Sequence, residues 1–333
     1  MAISCPSFAV PIADSLSRWE GISSDLSARR SNPPPGESVS MSLDDAKPHV
    51  VDASPYEVFV RSARAEPCMQ DLVKKNYLDE SVYEASARYA RSSEFSRAVS
   101  LLQPYVGRDF RVLDLGAGRG LTSLALAEQG VRVTAVEYDD SEVIGAGALA
   151  RLERGPEARL EALRADGLQL PFKDGTFDAA FCRSVLHHLG DLPSGLREVL
   201  RVLKPGGLFL ACGEHIRSPF GGGRRFLSAH PAVAYGVDER AYPTLTYRRL
   251  LRRAGFHGIR LFGYPLEFDD FRAVIRENPI RARLTSMPLF GGALARVLHA
   301  AHVVVRRYVL VPEASLPAIS LVASKPRLER GLA

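Results

Sequence analysis

The feature that most constrains the fold is a regular alternation of short apolar runs with amphipathic stretches, which begins at Arg111. Short apolar runs bounded by glycine or proline are typical of strands in a parallel sheet, and amphipathic stretches between them are typical of the helices that cover it. The predicted strands are Arg111–Leu115, Arg132–Glu137, Leu160–Ala165, Phe177–Arg183, Gly207–Gly213, Gly258–Gly263 and Ala318–Ser324. The predicted helices are Leu121–Gln129, Ser141–Glu153, Leu192–Leu203 and Thr246–Ala254. The sequence therefore predicts an α/β protein with a doubly wound sheet.

The same patterning divides the chain into five segments. Residues 1–48 are rich in Ser, Pro and Gly without an apolar period, so we expect a disordered leader. Residues 49–105 have apolar positions at helical spacing and are predicted to form a helical extension that serves as a lid. The core is predicted over 106–263, and the last strand and tail over 318–333. The segment 264–317 is too long for a hairpin loop, so we expect an inserted substrate-side subdomain.

Composition excludes several classes of protein. The 333 residues carry a net charge of +5, which is mild for this length and does not predict nucleic-acid binding. Four cysteines without a C-x-x-C pair predict neither a disulfide framework nor a structural zinc site. The apolar stretch 288–305 is interrupted by charged and histidine side chains, so we expect no membrane span. Together with the absence of a signal-peptide pattern, these observations predict a cytoplasmic protein.

A glycine-rich turn follows the first predicted strand. The segment Val112–Gly120 has its glycines in the pattern G-x-G-x-G, and Leu121 stands where a dinucleotide fingerprint would require glycine. Glycines at a strand-to-helix turn let the backbone approach a ligand closely, and the helix N-terminus then offers free N–H groups. Such a turn predicts a ligand site without naming the ligand.

Chemically informative residues also follow the later strands. Glu137 ends the second strand, where a carboxylate can accept both hydroxyls of a ribose. Asp166 follows the third strand, where it can accept from an exocyclic amine or cap the turn. The fourth strand leads into Ser184–Leu189, which contains a His-His pair, and the next helix ends at Leu203–Gly207.

In this order and spacing, the motifs resemble those of class I S-adenosylmethionine-dependent methyltransferases, and most closely the small-molecule branch with the methyltransferase type 11 domain. The resemblance covers about residues 105–215 and implies a Rossmann-like, seven-stranded sheet whose last strand is antiparallel. It also implies S-adenosylmethionine as cofactor. The implied contacts are with the methionine moiety for Asp114, Gly116, Ala117 and Gly118, with ribose for Glu137, with adenine for Tyr138, Asp166 and Gly167, and with the remaining face of the cofactor for Arg183 and Ser184.

Four residues at the carboxyl ends of the fourth and fifth strands are candidates for catalysis: His187, His188, Glu214 and His215. A histidine suits base chemistry near neutral pH, but a structural role for each remains an alternative. No metal-ligand spacing is present, so we expect a metal-independent reaction. The predicted substrate is a small, partly apolar organic acceptor, such as a natural-product or lipid-like intermediate, methylated on O, N or C. Two alternatives are a methyltransferase for protein or RNA and a non-catalytic binding partner that keeps the fold.

Overall fold

The computed structural model describes residues 53–103, 109–152, 159–217, 230–263 and 318–327. The strands in these ranges are β1 (Arg111–Leu115), β2 (Arg132–Glu137), β3 (Leu160–Arg164), β4 (Phe177–Arg183), β5 (Leu203–His215), β6 (His257–Gly263) and β7 (Ala318–Ser324). They form one sheet in the order β3-β2-β1-β4-β5-β7-β6. The pairs from β3 to β5 are parallel, and β7 runs antiparallel to both β5 and β6. The predicted seven-stranded sheet with an antiparallel last strand is confirmed.

Helices cover both faces of this sheet. They are α1 (Pro55–Ala65), α2 (Gln70–Lys75), α3 (Val82–Ala90), α4 (Ser93–Leu102), α5 (Leu121–Glu128), α6 (Ala146–Ala150), α7 (Leu192–Val202) and α8 (Thr244–Ala254), with short 3-10 helices at Pro67–Met69 and Pro231–Tyr235. Buried side chains of α7 and α8 form one core with one face of the sheet. Those of α3 to α6 form a second core with the other face. The strand order changes direction between β1 and β4, and in open α/β sheets ligands bind in the crevice at such a point.

The helices before the sheet begin at serines that cap them. Ser54, Ser81 and Ser92 are the N-caps of α1, α3 and α4, and each side chain accepts a hydrogen bond from a backbone N–H in the first turn. α3 and α4 belong to the core under the sheet, whereas α1 and α2 form a separate apolar cluster with Ile144 and Ala232. The helical segment before the core therefore has one part that packs on the sheet and another that packs on its loops.

Three details differ from the sequence predictions. β5 begins at Leu203, because this residue pairs with Phe177 before a bulge returns the chain to the ladder. The helix predicted from Ser141 begins only at Ala146, because the Ser141 hydroxyl accepts from two following backbone N–H groups and holds a turn. Cys68 is disulfide-bonded, a bond that the cysteine spacing did not indicate.

Two expectations lie outside the described residues: the leader over 1–48 and the inserted subdomain over 264–317. Among the helices that the structure describes, none has the length and apolar character needed to cross a lipid bilayer.

Candidate active site

The loop after β1 requires glycine at three of its positions. Gly116, Gly118 and Gly120 have φ values of +65°, +55° and +92°, in the left-handed region that glycine tolerates. A Cβ on Gly116 would lie 2.5 Å from Cγ2 of Val185, so the loop after β4 packs directly against this turn. Gly120 is the N-cap of α5 and makes no side-chain hydrogen bond. The N–H groups in the first turn of this helix therefore have no capping side chain from Gly120 and lie beside the loop.

Glu137 ties this loop to the end of β2. Its Oε2 accepts from the Gly118 backbone N–H at 2.7 Å, and its Oε1 accepts from the N–H groups of Tyr138 and Asp139 at 2.7 and 2.9 Å. Burial raises the pKa of this carboxyl group, and the three backbone donors oppose that shift. Glu137, the residue predicted to bind ribose, is therefore held in a fixed position beside the glycine loop.

Asp114, on β1, is a buried carboxyl group behind the same loop. Its Oδ2 accepts from the Ser123 hydroxyl at 2.5 Å, which links β1 to the first turn of α5. Burial raises its pKa to about 7, the Ser123 hydrogen bond lowers it, and the nearby Glu137 adds to the rise. A cationic ligand nearby would favour the ionised form of the Asp114 carboxyl group, which would then release its proton.

The predicted adenine contacts lie at the end of β3 and beside β2. Asp166 is exposed, and its Oδ1 accepts from the Leu168 backbone N–H at 2.8 Å, so it also closes the turn. Gly167 is buried, and a Cβ there would lie 3.2 Å from Leu115. Tyr138 is 67% exposed, which leaves its ring accessible. These residues adjoin the glycine loop because β3, β2 and β1 are neighbours in the sheet.

The side chain at the end of β4 is held by contacts with the helices before the sheet. The Arg183 guanidinium pairs with Glu94 of α4 at 3.0 Å and lies over the rings of Tyr77 and Tyr89, and the contact of this segment with the cofactor stays a prediction. The Arg183 backbone stays at the sheet edge. Ser184 has a φ of +57°, uncommon for a residue with a side chain, and its N–H donates to the Cys212 carbonyl oxygen at 2.8 Å.

Glu214 and His187 form a fully buried pair. The register of β5 against β7 shifts between Ala211 and Glu214, and such a bulge re-aims the side chains beside it. Glu214 Oε2 lies 2.8 Å from Nδ1 of His187, and its two oxygens accept from the backbone N–H groups of His187 and Val185. Burial lowers the pKa of His187 well below its usual range. Glu214 thus contacts Nδ1 of the ring, and Nε2 is the nitrogen left for another partner.

A second buried acid, Glu239, lies among four imidazoles and was not predicted. Its carboxylate oxygens are 3.6–3.9 Å from the Nε2 atoms of His187, His188, His215 and His230. Burial raises the pKa of Glu239 to about 7, and the nearby Asp238 and Glu214 add to the rise. The segment that contains Glu239 lies next to the end of β5 because Tyr242 forms a β-bridge with Ile216. No local sequence pattern indicates this pairing.

α1 lies across the loops of this edge and brings Tyr56 to it. Burial raises the pKa of Tyr56 to about 12, with Glu239 as the next cause, and Glu137 also contributes. The helix is fastened by Glu57, which accepts from the Ser141 hydroxyl in the loop after β2. Arg119, in the glycine loop, donates to backbone carbonyl oxygens between α2 and α3. The first two helices are thus bound to the loops that carry the predicted cofactor residues.

A family profile described as a methyltransferase domain matches residues 113–211. This range contains the glycine loop, Glu137, Asp166 and the end of β4, whose arrangement has just been described. Residues 113–211 carry a methyltransferase domain of the predicted class I, S-adenosylmethionine-dependent type. The predicted family is confirmed, and S-adenosylmethionine is the cofactor of this class.

The curated relatives of this methyltransferase domain align mainly over the same region. Demethylmenaquinone methyltransferase of Corynebacterium kroppenstedtii is 37% identical over 102 residues, which is 31% of this chain and 41% of that protein. Sterol 24-C-methyltransferase ERG6B of Gibberella zeae is 31% identical over 129 residues, 37% of this chain and 34% of that protein. An uncharacterised methyltransferase of Mycobacterium leprae is 33% identical over 181 residues, 53% and 62% of the two chains. The chain thus spans about two fifths of the first of these relatives.

Solved structures also resemble the methyltransferase domain, at low identity. The [4+2]-cyclase SpnF is 22% identical with a TM-score of 0.46, and the alignment covers 72% of this chain and 84% of that one. Phosphoethanolamine N-methyltransferase 2 of Haemonchus contortus is 18% identical with a TM-score of 0.45, covering 77% and 60%. These scores carry no conclusion about the reaction.

Proposed function

We propose that this protein transfers a methyl group from S-adenosylmethionine to an oxygen, nitrogen or carbon atom of a small, partly apolar organic molecule. The observation that carries the proposal is the placement of the predicted cofactor residues at the carboxyl ends of four adjacent strands, β3, β2, β1 and β4. This edge contains the change of strand order, where α/β sheets bind ligands.

The described residues fit the cofactor group by group. Glu137 holds a carboxylate beside a backbone loop that glycine keeps narrow, as a ribose with two hydroxyls requires. Asp114 is a buried acid that a cationic amino group would help to ionise. When bound, S-adenosylmethionine supplies a methyl group on a positively charged sulfur. The chain then contributes mainly position and orientation, which can supply on the order of 7–11 kcal/mol.

We propose that the acceptor binds on the side of β4 and β5, beside α1. The apolar cluster of α1, α2 and the 3-10 helix Pro231–Tyr235 supports an enclosed site, with Phe59 and Tyr235 in edge-to-face contact at 5.5 Å. Two of the relatives are named for action on a quinone precursor and a sterol, which supports a natural-product or lipid-like acceptor. The absence of a nucleic-acid partner and a cytoplasmic location stay predictions from the sequence.

The four candidate catalytic residues differ in the role that we propose. Glu214 is a positioning residue, because backbone N–H groups and His187 occupy both of its oxygens. His187 Nε2 faces Glu239 Oε2 at 3.6 Å, and His215 adjoins His187 with ring centres 4.3 Å apart, so we propose that both act beside the acceptor. His188 is partly exposed and its Nδ1 contacts the Asp238 carbonyl oxygen at 3.2 Å.

The first test is calorimetric titration with S-adenosylmethionine and S-adenosylhomocysteine. We expect micromolar binding by the natural chain and a loss of about 10- to 150-fold in Glu137→Gln, since a hydrogen bond to a charged group contributes about 1.5–3 kcal/mol. Glu128→Gln, at the exposed end of α5, is the matched control and should bind normally.

A positive titration would be followed by transfer of labelled methyl groups to a panel of small hydroxylated, amino and carbon acceptors. An absence of heat and of thermal stabilisation with folded natural chain would contradict the proposal and favour a non-catalytic binding partner. Methylation of protein or RNA, with none of the small acceptors, would favour a macromolecular substrate.

A further inference from the structure

The carboxylate of Glu239 is surrounded by imidazole nitrogens at distances too long for hydrogen bonds. Its Oε2 lies 3.6 Å from Nε2 of His187 and 3.9 Å from Nε2 of His215. Its Oε1 lies 3.8 Å from Nε2 of His188 and 3.7 Å from Nε2 of His230. Hydrogen bonds of this type require about 2.7–3.2 Å. Glu239 itself is only 5% exposed, and a buried carboxylate needs a compensating partner.

The position of the His187 ring indicates where a cation could bind. Its Nδ1 lies 2.8 Å from Glu214 Oε2, so Nε2 is the ring nitrogen that faces Glu239 Oε2, at 3.6 Å. Within the part of the chain that the structure describes, His187 Nε2 and Glu239 Oε2 are both buried and have no hydrogen-bond partner. A carboxylate that holds the far nitrogen of a histidine is the usual outer support of a metal-binding imidazole.

We propose that His187, His215 and Glu239 bind one divalent transition-metal ion of the zinc type. A ligand atom from each residue lies within 4.8 Å of the other two. An ion centred among atoms at these separations would lie within about 2.5 Å of each, and shifts of a few tenths of an ångström would bring it to the about 2.0–2.2 Å that zinc prefers. Two imidazoles and one carboxylate satisfy three of its coordination positions and leave an open one.

The consequence for substrate choice rests on the function proposed above. An ion at the end of β5 would present its open position on the acceptor side, where a hydroxyl or enolate oxygen could bind. Such binding would favour the ionised oxygen and fix it relative to the methyl group. The inference thus narrows the acceptor to molecules with an oxygen at, or next to, the methylated atom, and it replaces the metal-independent reaction expected from the sequence.

The test uses untagged full-length protein, stripped of metal with a chelator, and measures binding directly. Cobalt(II) is titrated while the visible absorption of a low-coordinate cobalt site is recorded, and zinc is then used to displace it. We expect one equivalent of cobalt to bind and one of zinc to replace it, and Glu239→Gln to weaken both at least 100-fold. His257→Gln, which removes a histidine at an exposed site on β6, should stay within twofold of the natural chain.

His215→Gln provides a second ligand variant in case Glu239→Gln does not fold, and we expect a comparable loss of affinity. Thermal unfolding and S-adenosylmethionine binding check that each variant is intact. Failure to bind a stoichiometric metal ion, or equal affinity in the natural chain and both ligand variants, would overturn the inference. Metal binding without cofactor binding would refute the proposed function and support the metal site. Cofactor binding without metal binding would support the proposed function and refute the metal site.

Discussion

Replacement of Asp114 by asparagine should make the protein more stable as the pH rises, relative to the natural chain. The Asp114 side chain is 1% exposed. Burial is the main reason that its pKa is raised to about 7, from 3.8 for an exposed aspartate, while the Ser123 hydroxyl opposes the shift. Asparagine has nearly the same shape, keeps an oxygen for Ser123 and cannot ionise.

The sign follows from the proton count of the two states. Between about pH 4 and pH 7 the folded protein holds a proton on Asp114 that the unfolded chain has lost, so the free energy of unfolding falls as pH rises. Above about pH 7 both states are ionised and the loss is complete. The difference of about three pKa units corresponds to about 4 kcal/mol in total, of which about 2–3 kcal/mol falls between pH 5.0 and 8.5.

Urea unfolding followed by circular dichroism, at pH 5.0, 6.5 and 8.5, measures this quantity. The difference in unfolding free energy between Asp114→Asn and the natural chain should rise by about 2–3 kcal/mol across the series. Taking the difference removes the contribution of other titrating groups. Asp109→Asn, whose side chain is 82% exposed, is the matched surface control. A flat difference in Asp114→Asn would refute the assignment of a raised pKa to this carboxyl group.

Two further substitutions test the packing around the site. Gly145→Ala would place a Cβ against the carbonyl oxygen of Asp139, so urea unfolding should show a loss of about 1–3 kcal/mol, whereas Gly190→Ala, with open space around it, should change little. Arg183→Met would leave the carboxylate of Glu94 buried without its cation, and the same assay should show a loss of about 3–5 kcal/mol. A loss below about 1 kcal/mol in Arg183→Met would mean that water reaches Glu94.

The sheet could be predicted from the sequence because its signals are local. Arg111–Leu115, Arg132–Glu137, Phe177–Arg183 and Ala318–Ser324 have the bounds expected from their apolar runs. A run buried on both faces ends where a turn residue appears, so composition alone marks its limits. The predicted start of α6 was wrong. The Ser141 hydroxyl holds a turn at a place where the helical periodicity of the sequence continues.

The residues predicted to bind the cofactor could likewise be found from local signals, whereas those of the proposed acceptor side could not. The predicted cofactor residues follow directly from strand ends, and parallel strands bring such ends to one edge whatever the loops do. Arg183 was assigned to the cofactor through the resemblance of its segment to the family, and its side chain pairs with Glu94, since a buried arginine requires an acid. Position along a strand predicts where the backbone lies and leaves the direction of a long side chain undetermined.

The acceptor side depends on contacts between segments that are distant in sequence. Glu239 lies near the histidines because Tyr242 pairs with Ile216, and Tyr56 comes near Glu239 because α1 lies across the loops. No spacing rule connects these residues, so no metal-ligand motif in the sequence marks this cluster. Since cofactor binding is built from strand ends and the histidine cluster from loop contacts, changes in the cluster should alter the choice of acceptor while cofactor affinity stays the same.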